Sequence, residues 1–162
     1  MNQKIKGSHV HYQDLESILK CLTEQEKSGK KLSLACLLIT HLPAKAELRR
    51  HPELHKKQVI ITAWSGNGSL VMDVFPEIDG VTKGMDLQEA LPRCEDATLL
   101  EADEAYYDKV FDRAIEDLRD RSPMVEKSYL GCAYIDMHGT EAMYTDETGI
   151  ATALLKAVSR YL

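Results

Sequence analysis

Residues 125–137 read VEKSYLGCAYIDM, a pattern of two short strands around a tight turn that holds Gly131 and Cys132. Just upstream, residues 103–120 set Tyr107, Val110, Phe111, Ala114, Ile115 and Leu118 on one apolar helical stripe, with Pro123 just past its end. Just downstream, a helix is expected from about Glu147 to Leu162. Towards the amino terminus, Gln58–Ala63 and Ser69–Phe75 read as strands. They are joined through Ser65-Gly66-Asn67-Gly68, whose glycines suit the positive φ of a hairpin turn. Leu32–Ile39 is a continuous apolar run of strand length, as a strand covered on both faces requires. Ala44–Arg50 looks helical. Asp86–Arg93 reads as a short helix with Asp86 as its N-cap, and Ala97–Leu100 as a brief strand. Residues 12–26 place Leu15, Ile18, Leu19 and Leu22 on one helical face, and Lys27–Lys31 breaks that pattern as a polar link. Strands alternate with helices, which predicts an α+β fold, an α/β sandwich with helices packed on a mixed sheet.

The 162 residues make one domain, or one and a fragment. At this length the core needs no disulfide or metal staple. No stretch reaches the ~20 apolar residues of a membrane span, and residues 1–7 lack the apolar run of a signal peptide. Cys21, Cys36, Cys94 and Cys132 are far apart without CxxC spacing, which predicts reduced, partly buried thiols in a cytoplasmic protein. The net charge is −6. The basic groups, Lys27, Lys30 and Lys31, then Arg49, Arg50, Lys56 and Lys57, are interrupted or flanked by acids. Weak DNA binding by this segment is therefore expected.

The remaining constellations have ordinary structural readings. His9 and His11 fall in an amino-terminal segment. His51 and His55 have the i, i+4 spacing of helical metal ligands, but Pro52 between them predicts a helix end and no third ligand is evident. Cys132 has no neighbouring His or cation in the sequence to activate it, which favours packing over nucleophilic chemistry. The Ser65–Gly68 turn lacks the Lys and the strand-to-helix setting of a phosphate loop.

Four collinear stretches carry a family resemblance: AELRRHPELHKKQVII (46–61), GVTKGMDLQEALPRC (80–94), the long helix with RSPMVE (121–126), and CAYIDMHG (132–139). Together they resemble the amino-terminal palm and fingers of Y-family (UmuC/DinB-like) translesion DNA polymerases over roughly residues 33–162. Within that family the stretches resemble the ImuB-type accessory subgroup. The resemblance implies a ferredoxin-like palm, incomplete here, with a small fingers-like insertion and an extra amino-terminal helix. The implied division is a helical extension at 1–31 and a palm/fingers module at 32–162. Within that module the palm covers 32–40 and 95–162, and the fingers-like part covers 41–94.

The resemblance also places the family's chemical positions. The first metal-binding Asp aligns with Leu38, and the hairpin Asp-Glu pair with Gly131 and Cys132. The steric-gate aromatic falls on Pro43, and the triphosphate-gripping Tyr and Arg fall on Val74 and Glu77. Phosphoryl transfer needs Mg²⁺ held by oxygen ligands, and an alkyl group, a hydrogen and a thiol cannot supply them. Asp136, about 16 Å along the strand from Gly131, is too distant to join, and Asp73 would need an unexpected register. The expectation is thus no catalytic, nucleotide or metal site, no cofactor, and a scaffold or accessory role in DNA repair and mutagenic translesion synthesis.

By resemblance to the ImuB type, the implied partners are a sliding clamp, an error-prone C-family polymerase and a RecA-like accessory protein. DNA contact would be weak or made through further domains of a longer protein. An exposed first strand offers a homodimer edge that the 12–26 helix could also cover. Two other readings are compatible with the sequence: an active nucleotidyltransferase with relocated metal ligands, using Mg²⁺, and an unrelated small α/β ligand-binding regulatory domain.

Overall fold

The computed structural model describes residues 34–94, 96–122, 124–139, 143–144 and 147–161. The expected helix at 12–26, the 1–31 extension, His9, His11, Cys21 and Pro123 lie outside the described residues. The elements are β1 (Leu34–Leu38), α1 (Leu42–Arg50), β2 (Val59–Trp64), β3 (Ser69–Phe75), α2 (Leu87–Ala90), β4 (Thr98–Glu101), α3 (Glu104–Arg119), β5 (Met124–Tyr129), β6 (Cys132–Asp136) and α4 (Glu147–Val158). Single 3₁₀ turns lie at Pro52–Leu54, Leu91–Arg93 and Ser159–Tyr161. No helix among the described residues is long and apolar enough to cross a membrane.

The fold is α+β, as the alternation of patterns predicts, but the strands form two three-stranded sheets where one mixed sheet was expected. In the first the order is β1-β6-β5, antiparallel throughout. In the second it is β3-β2-β4, with β2 antiparallel to β3 and parallel to β4. The described residues divide into two compact units accordingly. Residues 34–38 and 113–160 form the palm-like unit; residues 39–112 and Tyr161 form the fingers-like unit. The boundary falls inside α3, so β4 groups with β2 and β3.

In the palm-like unit, period-two alternation separates a buried face from an open one. Leu37, Ala133 and Ile135 are buried, as are Ala114, Ile115 and Leu118 of α3 and Leu154 and Val158 of α4. Ser122, also buried, ties the end of α3 to the hairpin. Its hydroxyl bonds the Asp136 carbonyl and receives the Met124 N–H at 3.3 Å. In the fingers-like unit, Ile60, Val71, Val74, Ile78, Val81, Ala90 and Cys94 form one apolar cluster. Asp86 caps α2, accepting the Gln88 N–H at 2.8 Å. Gly66 (φ 84°) permits the turn between β2 and β3, which Ser65 N closes on Gly68 O at 3.0 Å.

One detail of the β5–β6 hairpin differs from the sequence reading. The turn is Leu130-Gly131, and Cys132 is already the first residue of β6. Gly131 sits at φ 89°, a conformation that glycine adopts without strain. Tyr129 therefore pairs directly with Cys132, after a register shift between Lys127 and Tyr129.

Candidate functional site

The register of the first sheet brings the three palm positions together. Leu38, at the end of β1, lies opposite Cys132, and Cys132 lies opposite Tyr129, with Gly131 in the adjoining turn. On this open face the side chains form three rows across β1, β6 and β5: Leu38–Cys132–Tyr129, Cys36–Tyr134–Glu126 and Leu34–Asp136–Met124. The row holding the expected catalytic positions thus consists of an alkyl group, a thiol and a phenol.

Cys132 is buried and Cys36 exposed, both as free thiols. Burial pushes the Cys132 thiol up from its ordinary value, with a hydrogen bond to Tyr129 working the other way. The same hydrogen bond, followed by the nearby thiol charge, raises the Tyr129 phenol. The pair therefore stays protonated near neutral pH and presents no thiolate.

The donor set does not fit a magnesium pair. Two carboxylates share the open face. Glu126 stands two residue pairs from the Cys132 row, about 7 Å along the strands, and Asp136 four residues on, about 13 Å. Asp136 is further committed: its Oδ1 accepts the His138 backbone N–H at 2.9 Å and lies 2.9 Å from His138 Nδ1. A two-metal centre needs carboxylate oxygens converging within about 2 Å of each ion, and this row supplies none. No group of three or more His, Cys, Asp or Glu that could hold a metal occurs among the described residues.

The fingers-like unit carries the other expected positions. Pro43 lies buried in the first turn of α1, where its missing N–H costs nothing. Val74 is buried in the apolar cluster. Glu77 lies just past β3 with its side chain 89% exposed. A valine and a glutamate in these places offer a triphosphate neither a hydroxyl nor a cation.

A buried acid at the start of α1 was not recognised as a partner of that helix from the sequence. Asp73 reaches from β3 to the helix, and its Oδ2 accepts the Ala44 N–H at 3.1 Å. Its Oδ1 accepts the Val74 N–H at 3.0 Å and lies 2.8 Å from His41 Nδ1. His41 occupies the N-cap position at φ 53° without capping the helix itself. Its Nε2 lies 4.0 Å from a Glu77 carboxylate oxygen, and its ring tilts against Phe75 at 5.7 Å. A helix N-terminus attracts anions through free N–H groups and the helix dipole. In this chain a protein carboxylate already satisfies that preference. The available signal was a single acid inside the otherwise apolar strand SLVMDVF, but its partner is 32 residues away at His41.

His51 is the residue that ends α1, and its ring pairs with Glu53 at 3.2 Å. His51 and His55 therefore flank a 3₁₀ turn instead of sharing a helical face, as Pro52 suggests.

A three-stranded antiparallel palm face and a separate fingers-like sheet define the class: the amino-terminal part of a Y-family-type DNA polymerase fold. Residues 38–162 match the impB/mucB/samB family (IMS), and the chain belongs to it. It is 27% identical over 129 residues to DNA polymerase IV of Brucella melitensis biotype 1, covering 80% of this chain and 29% of that protein. In structure it is similar to DinB from Sulfolobus solfataricus, with a TM-score of 0.69 and 20% identity. That match covers 78% of this chain and 38% of the other. The insertion ternary complex of Dbh DNA polymerase gives a TM-score of 0.72 at 17% identity, covering 78% and 39%. The chain spans less than a third of the length of the polymerase IV relative.

Proposed function

We propose that this chain is a catalytically silent Y-family-type module that works as a scaffold in DNA-damage tolerance and mutagenic translesion synthesis, in the manner of the ImuB-type accessory subgroup. The observation that carries the reading is the Leu38–Cys132 pairing. The positions to which the family resemblance assigns metal carboxylates adjoin one another in the sheet, and none of them bears an oxygen ligand. The fingers-like unit supports it. Asp73 holds the N-terminal amide of Ala44, and Glu77 places negative charge where the resemblance expects a phosphate-binding cation. Binding energy, not bond chemistry, is then the contribution of the module. Its proposed partners are a sliding clamp, an error-prone C-family polymerase and a RecA-like accessory protein, in the cytoplasm.

Immunoprecipitation of the endogenous protein before and after DNA damage tests this. Co-precipitation of clamp, polymerase or RecA-like proteins, increased by damage, is the expected result. Recovery of none of these partners under either condition would remove the scaffold role.

A further inference from the structure

Two thiols meet on the open face of the palm-like sheet. The register pairs Cys36 of β1 with Tyr134 of β6, and Leu38 with Cys132. Cys36 and Cys132 are thus diagonal neighbours on one face, a relation that sets residues about 7–8 Å apart with their Cβ atoms somewhat closer. Both are free thiols, and they hydrogen-bond to each other. Cys132 also receives the hydrogen bond from Tyr129 that favours its thiolate form. Cys94, in contrast, is buried in the apolar cluster of the fingers-like unit, where its Sγ donates to the Ala90 carbonyl at 3.0 Å.

The two palm thiols differ in access. Cys36 is exposed and Cys132 is buried. Exposure decides which thiol an oxidant in solution meets first, and an adjoining thiol can then resolve the product. β1 lies at the edge of the β1-β6-β5 sheet. It can therefore draw in by the ~1 Å needed to bring the Cα atoms within the limit of about 7 Å for a disulfide. A disulfide closed under such strain is readily reduced again.

We propose that Cys36 and Cys132 form a reversible modification site, a dithiol that a hydroperoxide converts to a cross-strand disulfide. First the Cys36 sulfur attacks a peroxide oxygen. An S–O bond forms as the O–O bond breaks, leaving a Cys36 sulfenic acid and, from hydrogen peroxide, one water. The Cys132 sulfur then attacks the sulfenic sulfur. The S–S bond forms as the S–O bond breaks, and the hydroxyl leaves with the Cys132 proton as a second water. The two thiols lose two electrons in all, and the peroxide gains them. Cys132 needs no standing thiolate population for this step. Held beside the sulfenic sulfur, with Tyr129 as hydrogen-bond donor, it gives up its proton as the bond forms. The inference goes beyond the scaffold reading and holds whichever proteins the module meets.

Tryptic mapping of the full 162-residue chain tests it, after brief exposure to a slight excess of hydrogen peroxide and alkylation in urea. Each cysteine falls in its own peptide: Cys21 in 21–27, Cys36 in 32–45, Cys94 in 94–109 and Cys132 in 128–156. The expected product joins 32–45 to 128–156 within one chain, forms at a rate independent of protein concentration, and is lost on adding dithiothreitol. Cys132→Ala is expected to raise the dimedone-trapped sulfenic acid of Cys36 several-fold. Recovery of Cys36 as a sulfenic or higher acid, or joined to Cys21 or to a second copy, with Cys132 still alkylated, would overturn the inference. So would intact thiols at both positions under conditions that fully oxidise glutathione. Equal dimedone trapping in the wild type and a folded Cys132→Ala chain would count against it in the same way. Should Cys132→Ala fail to fold, the wild-type map decides alone.

Discussion

Gly131 and Cys132 show why the acidic pair that the family resemblance assigns to this hairpin does not fit this turn. At φ 89° Gly131 occupies left-handed backbone, which costs a residue with a Cβ about 1–2 kcal/mol. Cys132 is 3% exposed, and a carboxylate in its place is desolvated beside a phenol and a leucine, which penalises the ionised form. Gly131→Asp is therefore expected to lower unfolding free energy by about 1 kcal/mol, the small end because Asp tolerates this region. Cys132→Glu is expected to cost about 2 kcal/mol or more, with urea unfolding as the measurement. A double variant as stable as the wild type would show that the turn still accommodates the pair. The buried Asp73 conveys the complementary lesson: a polar residue on an apolar strand is placed there to satisfy backbone N–H groups and His41.

Among the elements, α1 and the amino-terminal part of α3, both within the fingers-like unit, meet through a buried polar contact that their helical periodicity does not reveal. Glu47 is 1% exposed; it accepts the Tyr107 hydroxyl at 2.9 Å and the Arg50 guanidinium at 2.9 and 3.1 Å. Arg50 also reaches Asp103 at 2.9 Å and lies over the Tyr106 ring. Burial first, and then the bond to Glu47, push the Tyr107 phenol well above its ordinary value of 10.0. The sign follows: a raised folded-state pKa gives stability that is complete below the unfolded value and lost as pH rises beyond it. In an alkaline titration followed at 295 nm, Tyr107 is expected to ionise only as the protein unfolds, and Tyr107→Phe is expected to remove that late step. Reversible ionisation of every tyrosine near pH 10 with the fold intact would contradict the burial of this group. The stripe of α3 was legible because Tyr107, Val110, Phe111, Ala114, Ile115 and Leu118 obey a local 3.6-residue period, and all six are buried. The hairpin at 125–137 was legible for the same local reason, apart from the place of Cys132. Pairings at long range were not: the Tyr107–Glu47 bond spans 60 residues, and nothing local to either residue encodes it. Likewise, the separation of β2, β3 and β4 from the palm strands depends on which edges pair, and alternation alone does not specify that.

At the scale of the whole molecule, the α+β fold carries Leu38, Gly131 and Cys132 in one unit, and Pro43, Val74 and Glu77 in the other, at the positions that the resemblance ties to metal and nucleotide. Fold and chemistry are separable properties. The sheets need only apolar residues at alternate positions, and Leu37, Ala133 and Ile135 provide these whatever stands at Leu38 and Cys132. On the reading proposed above, the open face offers an apolar surface for protein contact in place of a site for hard cations. The most direct test of this reading is paramagnetic broadening of backbone amide signals when Mn²⁺ and a deoxynucleoside triphosphate are added to the chain. Mn²⁺ shares the preference of Mg²⁺ for oxygen ligands and reports its own position. The expected result is no selective broadening around Leu38, Gly131 and Cys132 at concentrations that saturate a magnesium-dependent polymerase. Saturable broadening centred on those residues, dependent on the nucleotide, would contradict the proposed lack of a metal site and favour the reading of an active nucleotidyltransferase.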